Sequence, residues 1–374
     1  PCNTGSKGFD VMSNELFCKR INSLKSLLKS NDEVLFITNQ KNIGYLCGFF
    51  NSEGVMLVTT EKTFLFVDFR YIEAAKKKSH CCEVICFTKL DADLLKVIQA
   101  NAVNKLYFEA SDITIARFNS FKSLFEKNKI ECDSSSTLDK AISNIRIIKD
   151  ESEIEKIQKA QQITEKAYNE VLNFLKPGVS EKEIAARLEF LMKMNGAEDI
   201  SFDLITITGK KTSLPHGVPS DDIVKAGDFF TFDIGAVFEG YHSDTTRTVA
   251  IGYATDEMQE IYNIVLKAQL TALEKIRSGV LCSEVDKTAR DIIENAGYGK
   301  YFGHSTGHGV GLDIHEAPNV SPKSDFTLEK GIIITDEPGI YLPEKFGVRI
   351  EDMVCVTENG CKNFVSLPKE LIIL

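Results

Sequence analysis

Apolar residues recur in two rhythms along this chain, and the change from one to the other divides it. In the first part, short β-rich runs (EVLFIT, GVMLVTT, TFLFVDF, VICF and KLYFEA) alternate with helical stretches expected near 14–30, near 91–100 and across ITIARFNSFKSLFEKNK. That alternation reads as one α/β domain.

The period lengthens after SNIRIIKD at 143–150. Ile154, Ile157, Ala160, Ile163, Ala167, Val171 and Leu175 are spaced by three and four, the stripe of a long amphipathic helix stopped by Pro177-Gly178. Ser180 with Glu183 forms a capping box for a second helix, closed by Gly196. A hairpin follows, TFDIGAVFEGYHSDTTRT at 231–248, turning at Glu239-Gly240. The same order then repeats: a helix over about 256–277 ended by Ser278-Gly279, a second after Ser283, and the strand-like GIIITDEPG and GVRIEDMVCV. Ser180-Glu181 and Ser283-Glu284 stand 103 positions apart, as do Ala186-Arg187 and Ala289-Arg290. A domain over 12–143 and an internally duplicated one over 148–374 are therefore expected.

The duplication bears on chemistry. Adding the same offset to Asp233 and Asp244 lands within about four residues of Glu337 and Glu351. If the halves pack face to face, four carboxylates meet near the pseudo-twofold axis, and their repulsion calls for bound cations. Carboxylates are hard ligands, and one imidazole among them moves the preference from Ca or Mg toward Mn, Fe, Co or Zn. His308 in STGHGVG is the candidate, its glycines read as leaving room for a cation and a substrate; five of six histidines (His216, His242, His304, His308, His315) fall within one hundred residues. Singly, an acid on a strand is ordinarily solvated and a histidine between glycines is a loop residue, so the set carries the reading.

Composition removes other classes. A net charge of -10 and a pI near 5.3 lack the footprint of a nucleic-acid or anionic-membrane binder, and no apolar run approaches a membrane span. Ten cysteines are scattered, with only Cys81, Cys82 and Cys86 clustered, and are read as reduced thiols of a cytoplasmic protein; a metal site using His80 is the lesser reading. Met12 is taken as the natural start, with the polar residues before it a remnant or disordered arm.

PHGVP, TFDIGAVFEGYHSDTTRT, STGHGVGLDIHEAP, TDEPGIY and GVRIED stand in an order that resembles the pita-bread metallopeptidases, in particular the Xaa-Pro aminopeptidase and prolidase (Xaa-Pro dipeptidase) subgroup. NIGYLCGF and VDFRYIEAA are similar to its creatinase-type first domain. The resemblance implies an α/β N-terminal domain plus an α+β pita-bread domain with internal pseudo-twofold duplication. It implies two divalent ions, Mn first and Co or Zn as alternatives, held by Asp233, Asp244 and Glu351 on one side and by Asp244, His308, Glu337 and Glu351 on the other. Such ions activate a water and polarise a carbonyl; Glu337 is then the base, while His216, His304, His315 and Arg349 contact substrate or stabilise the tetrahedral intermediate. Arg349 is geometrically suited to a substrate carboxylate. Asp336 departs from the usual apolar or small residue and, by strand alternation, should point away from Glu337.

The expected activity is Xaa-Pro aminopeptidase, with Xaa-Pro dipeptidase as the alternative, acting on proline-containing dipeptides or short peptides in a homodimer. A non-enzymatic peptide-binding module of this fold is disfavoured by the five filled ligand positions, and creatinase-like chemistry by the carboxylate set. Methionine aminopeptidases usually lack the first domain.

Overall fold

In the computed structural model, which describes residues 5–50 and 53–374, the apolar runs of the first part pair into one sheet. Its strands are β1 (Glu33–Ile37), β2 (Val55–Val58), β3 (Thr63–Val67), β4 (Glu83–Cys86), β5 (Lys105–Phe108) and β6 (Glu131–Asp133), in the order β4-β3-β2-β1-β5-β6. β1, β2 and β3 pair antiparallel; β4, β5 and β6 join in parallel. β2 and β3 are buried at every position, as their continuous apolar sequences require of central strands. The helices are α1 (Gly5–Lys25), α2 (Gln40–Cys47), α3 (Ile72–Lys78), α4 (Leu90–Ala100), α5 (Ile115–Lys127) and α6 (Thr137–Ile147). Phe36 fills the centre of the core, edge-on to Phe108, Phe121 and Phe125.

Several expectations shift here. The helix expected near 14–30 runs from Gly5 to Lys25, ahead of Met12; residues 1–4 of the presumed arm lie outside the described residues. α2, α3 and α6 were not anticipated: α2 spans about two turns, too short to show a period, and is fixed by its ends, where Asn39 accepts from Asn42 N and Gly48 adopts the left-handed φ of +81°. The reading of all cysteines as reduced thiols is corrected, because Cys18 on α1 and Cys81 are joined by a disulfide, their Cα atoms 5.4 Å apart across 63 positions of sequence. Cys86 takes no part, and the metal reading of that cluster has no support.

This first compact unit is Pro1–Ile145 and the second is Arg146–Leu374. The second opens with α7 (Glu151–Val171), whose Asp150 and Glu153 make a capping box, and α8 (Glu181–Met194), capped by Ser180 and Glu183 as expected. α7 ends at Val171 rather than Leu175, with turns leading into Pro177. Next come β7 (Asp199–Ile200), β8 (Ile205–Thr208), β9 (Phe229–Ile234), β10 (Ala236–Phe238), β11 (Tyr241–His242) and β12 (Thr245–Ala250). β8, β9 and β12 form one antiparallel sheet, and β10 lies between β7 and β11. Glu239 and Gly240 both have positive φ, +48° and +79°, the two-residue turn that matches strand twist.

α9 (Asp256–Lys275) and α10 (Cys282–Asn295) then repeat the helix pair, followed by β13 (Gly307–Gly309), β14 (Glu316–Val320), β15 (Ile333–Asp336), β16 (Gly339–Leu342), β17 (Phe346–Arg349), β18 (Asp352–Val356) and β19 (Cys361–Asn363). The larger sheet has the order β14-β13-β15-β18-β19, and β16 pairs with β17. Ile261, Val265, Ala268 and Ala272 of α9 share a core with Ile334, Val348 and Val354 of the strands. Each large aliphatic side chain buried there contributes roughly 1.5–3 kcal/mol. The helices thus seal the outer faces and leave the strand ends carrying the acids turned to one cleft.

Candidate metal centre

Asp233 sits near the end of β9, directly across the ladder from Thr246 of β12, so the two side chains share a face. Asp244 lies just before β12. Glu337 follows β15, Glu351 stands between β17 and β18, and the amide of Glu351 donates to Thr246 O at 3.1 Å, tying the second half to the first. His308 is the middle residue of β13, at a register shift before Gly309. The glycines around it are required by backbone approach rather than by ligand space: a Cβ at Gly307 would stand 2.0 Å from Thr335 O, and one at Gly309 2.3 Å from Ala317 O. That corrects the expectation that they make room for a cation.

Asp244, His308 and Glu351 bring one donor atom each within 4.8 Å of one another. His308 Nε2 is 3.5 Å from Asp244 Oδ2 and 3.4 Å from Glu337 Oε1, which places Glu337 beside the same point. The other ring nitrogen, Nδ1, lies 3.1 Å from Gly309 O, a carbonyl that fixes the proton there and leaves Nε2 as the donor atom. Asp233 meets the group through Arg349, whose NH2 donates to its Oδ2.

The electrostatics are those of crowded acids. Burial, then the charges of Asp233 and Glu337, push the Asp244 carboxyl well above its usual range; burial, then the charges of Asp244, Glu337 and Asp233, do so for Glu351. Burial raises Glu337 to about 8, with Asp233 adding to it and Arg349 opposing. Burial lowers His308 to about 4, so the imidazole is neutral at pH 7 and able to ligate. Four acids, one neutral imidazole and the cost of their mutual repulsion make a donor set that fits hard divalent cations.

Around this floor lies a cleft of about 900 Å³. All nine expected site residues line it: Asp233, Asp244, His308, Glu337 and Glu351 with His216, His304, His315 and Arg349. His315 stacks edge-on against His308, their centroids 4.4 Å apart. His304 Nε2 is 2.9 Å from the Tyr341 hydroxyl, and burial lowers the imidazole of His304 to about 4. Arg349 is held on all sides, by Thr246 Oγ1 (3.0 Å), Tyr341 OH (2.8 Å), Pro215 O (3.3 Å) and Asp233. His242 is buried on β11, its amide donating to Gly311 O, and does not line the cleft. Asp336 does not line it either.

Sequence reasoning missed three contributors. Thr246 bridges Arg349 and Glu351, donating to Glu351 Oε2 at 2.7 Å. Tyr341 links His304 to Arg349, and Thr335 Oγ1 links the His308 amide to Glu337. Period-two counting from Glu337 through Gly339 to Tyr341 was the available signal. The apolar wall of Phe202, Leu204 and Val218 had none.

A two-unit chain whose second unit gathers paired acids and a histidine from duplicated strand pairs is a pita-bread metallopeptidase. Residues 155–358 match Metallopeptidase family M24 and residues 20–148 match the Creatinase/Prolidase N-terminal domain, and the chain belongs to that family. It is 38% identical to the Xaa-Pro dipeptidase of Pyrococcus horikoshii over 97% of its own length and 100% of the relative's. Among solved structures, the Xaa-Pro dipeptidase from Bacillus anthracis superposes with a TM-score of 0.91 at 40% identity, covering 96% of this chain and 100% of that one. The X-Pro aminopeptidase from Thermotoga maritima superposes with a TM-score of 0.87 at 35% identity, covering 94% and 99%. The chain is thus a metallo-exopeptidase that uses divalent metal.

Proposed function

We propose that this enzyme hydrolyses the peptide bond between an N-terminal residue and proline, with Xaa-Pro dipeptides as its substrates. The observation that carries the reading is the meeting of Asp244, His308, Glu337 and Glu351 at one point, with Asp233 held beside them by Arg349. Asp233, Asp244 and Glu351 would hold one divalent ion and Asp244, His308, Glu337 and Glu351 the other. The chemistry such ions supply is charge neutralisation, polarisation of a carbonyl and activation of water. Manganese suits a set of four carboxylates and one imidazole, with cobalt or zinc as alternatives.

Glu337, facing the cleft 3.4 Å from His308 Nε2, accepts the proton of the attacking water and returns it to the leaving imino nitrogen. His315, turned to the cleft, donates to the developing oxyanion. His304 and His216 face the proline side. Arg349 has its donors engaged with Asp233, Tyr341, Thr246 and Pro215, which supports orienting Asp233 and the cleft wall alongside any service to a substrate carboxylate. Proline's tertiary amide offers no N–H, so a shaped pocket must select its ring.

The aminopeptidase reading keeps a specific support in the Thermotoga maritima structure; the dipeptidase reading has the Pyrococcus horikoshii and Bacillus anthracis relatives. Homodimerisation comes with the family resemblance, and peptides rather than nucleic acid suit the acidic surface. Cytoplasmic residence is supported by seven unpaired cysteines among the described residues, against which the Cys18–Cys81 bond counts.

The test is amino-acid release by metal-stripped protein resupplied with Mn, Co or Zn, from Ala-Pro and from Ala-Pro-Ala. Cleavage restricted to the dipeptide is expected; tripeptide cleavage makes the enzyme an aminopeptidase. Silence with every metal and both peptides refutes the proposal.

A further inference from the structure

Glu181 is the first residue of α8 and is fully buried, yet it lies outside the metal cleft. Its two carboxylate oxygens reach both ends of one loop. Oε1 accepts the amide of Thr208 at 2.8 Å, on the last residue of β8. Oε2 accepts the amide of Ser220 at 2.8 Å, the Ser220 hydroxyl at 3.0 Å and the Lys211 ammonium at 2.6 Å. Backbone bonds reinforce the far end, from Glu181 N to Asp222 O and from Lys182 N to Ser220 O, both 3.1 Å.

Between those ends, residues 209–219 leave the sheet and return. The return stretch, Pro215 to Pro219, is a wall of the cleft and carries His216. Val218 on it is 74% exposed while Gly217 beside it is buried, so packing holds the stretch only in part. Its few fastenings include Arg349 NH1 to Pro215 O at 3.3 Å and, before it, Gly347 N to Thr212 Oγ1 at 2.8 Å. A buried carboxylate is tolerated only with its oxygens fully bonded, and Glu181 has four donors, one of them cationic. It also sits where the α8 macrodipole favours a negative charge. Pinning both ends of a loop removes conformations that the free segment would sample.

We propose that Glu181 is a positioning residue: it staples the His216 loop in the conformation that grips substrate, without touching substrate itself. The effect on catalysis rests on the Xaa-Pro reading above, whereas the effect on the loop does not. Losing the staple releases the wall against which the proline end binds, so it weakens substrate binding more than the chemical step.

The experiment uses metal-loaded full-length enzyme, with Glu181→Gln as the near-isosteric variant and amide hydrogen exchange and Ala-Pro kinetics as readouts. Exchange at residues 209–219 should quicken by about tenfold while the β9 and β12 amides keep their protection. KM should rise about tenfold with kcat within about threefold and metal content unchanged. Lys211→Met, which removes the cationic donor together with its bonds to Ser220 Oγ (2.5 Å) and Asp222 (2.9 Å), should shift both quantities the same way by about threefold more than Asp222→Asn, which breaks the Asp222 tie alone, and that difference decides if Glu181→Gln does not fold. Unchanged loop exchange overturns the staple, and so does a loss shared evenly across the sheet. If the parent enzyme cleaves no Xaa-Pro peptide, the functional reading fails while the exchange result still decides the role of Glu181.

Discussion

Glu337 and Asp336 are adjacent in sequence and face opposite ways. Glu337 turns to the cleft, 3.4 Å from His308 Nε2. Asp336 turns into the interior opposite Asp352, fully buried, and neither of its carboxylate oxygens has a hydrogen-bond partner among the described residues. Asp352, by contrast, is met by Arg247, Gln269, Asn363 and Lys369. An unsatisfied buried polar group costs about 1–3 kcal/mol. Asp336→Val should therefore raise stability by about that amount, read as a higher urea midpoint, with kcat unchanged within about twofold. Glu337→Gln should lower kcat by about 10²–10⁴ through loss of the base and of one metal donor, while circular dichroism melting of metal-stripped protein shows no loss of stability. A destabilised Asp336→Val enzyme, or an active Glu337→Gln enzyme, contradicts the assignment of these two faces.

At the scale of elements, the site depends on how closely strands can approach. β13 sits between β14 and β15 because Gly307 and Gly309 have no side chain to collide with Thr335 O and Ala317 O. Gly307→Ala puts a Cβ where backbone already stands, which no rotamer can relieve, so His308 must move away from Asp244 and Glu337. A stability loss of about 3 kcal/mol or more is expected, with metal affinity falling at least tenfold, measured by thermal melts with and without Mn. Normal affinity would show that the strand spacing tolerates it. The strands, the long helices and the duplicated order were legible because they write a period or a motif into neighbouring residues: Ser180 and Glu183 are three positions apart. Short α2 and α3 write none: α2 is fixed by its caps, whereas no side chain caps the start of α3, which packs through the buried Ala75. The Arg349–Asp233 pair spans 116 positions and the Cys18–Cys81 bond 63, so only the folded chain brings them together. The acids that meet in the cleft were legible for a different reason, the repeat offset and the family motifs; their restraint by Thr246 and Tyr341 was not.

For the molecule as a whole, the cost of the site is paid in pH dependence. Glu337 has its pKa raised from 4.5 to about 8, and Asp244 and Glu351 shift in the same direction. In metal-stripped protein the folded state therefore holds protons that the unfolded chain has already released above pH 4.5. The stability these groups contribute is complete below that pH and is lost as pH rises toward about 8, at about 1.4 kcal/mol per pH unit for each proton held. Divalent ions reverse the balance, since ligation needs carboxylates without protons, and His308 at about 4 is already neutral. The melting temperature of stripped enzyme should fall between pH 5.5 and 7.5 relative to enzyme loaded with Mn, so the gap between the two widens with pH. Metal binding at pH 6.5 should also release protons, detectable as a heat that changes with the ionisation enthalpy of the buffer. A gap that stays constant across this range, with buffer-independent heats, would mean that the acids do not share their charge as their spacing requires.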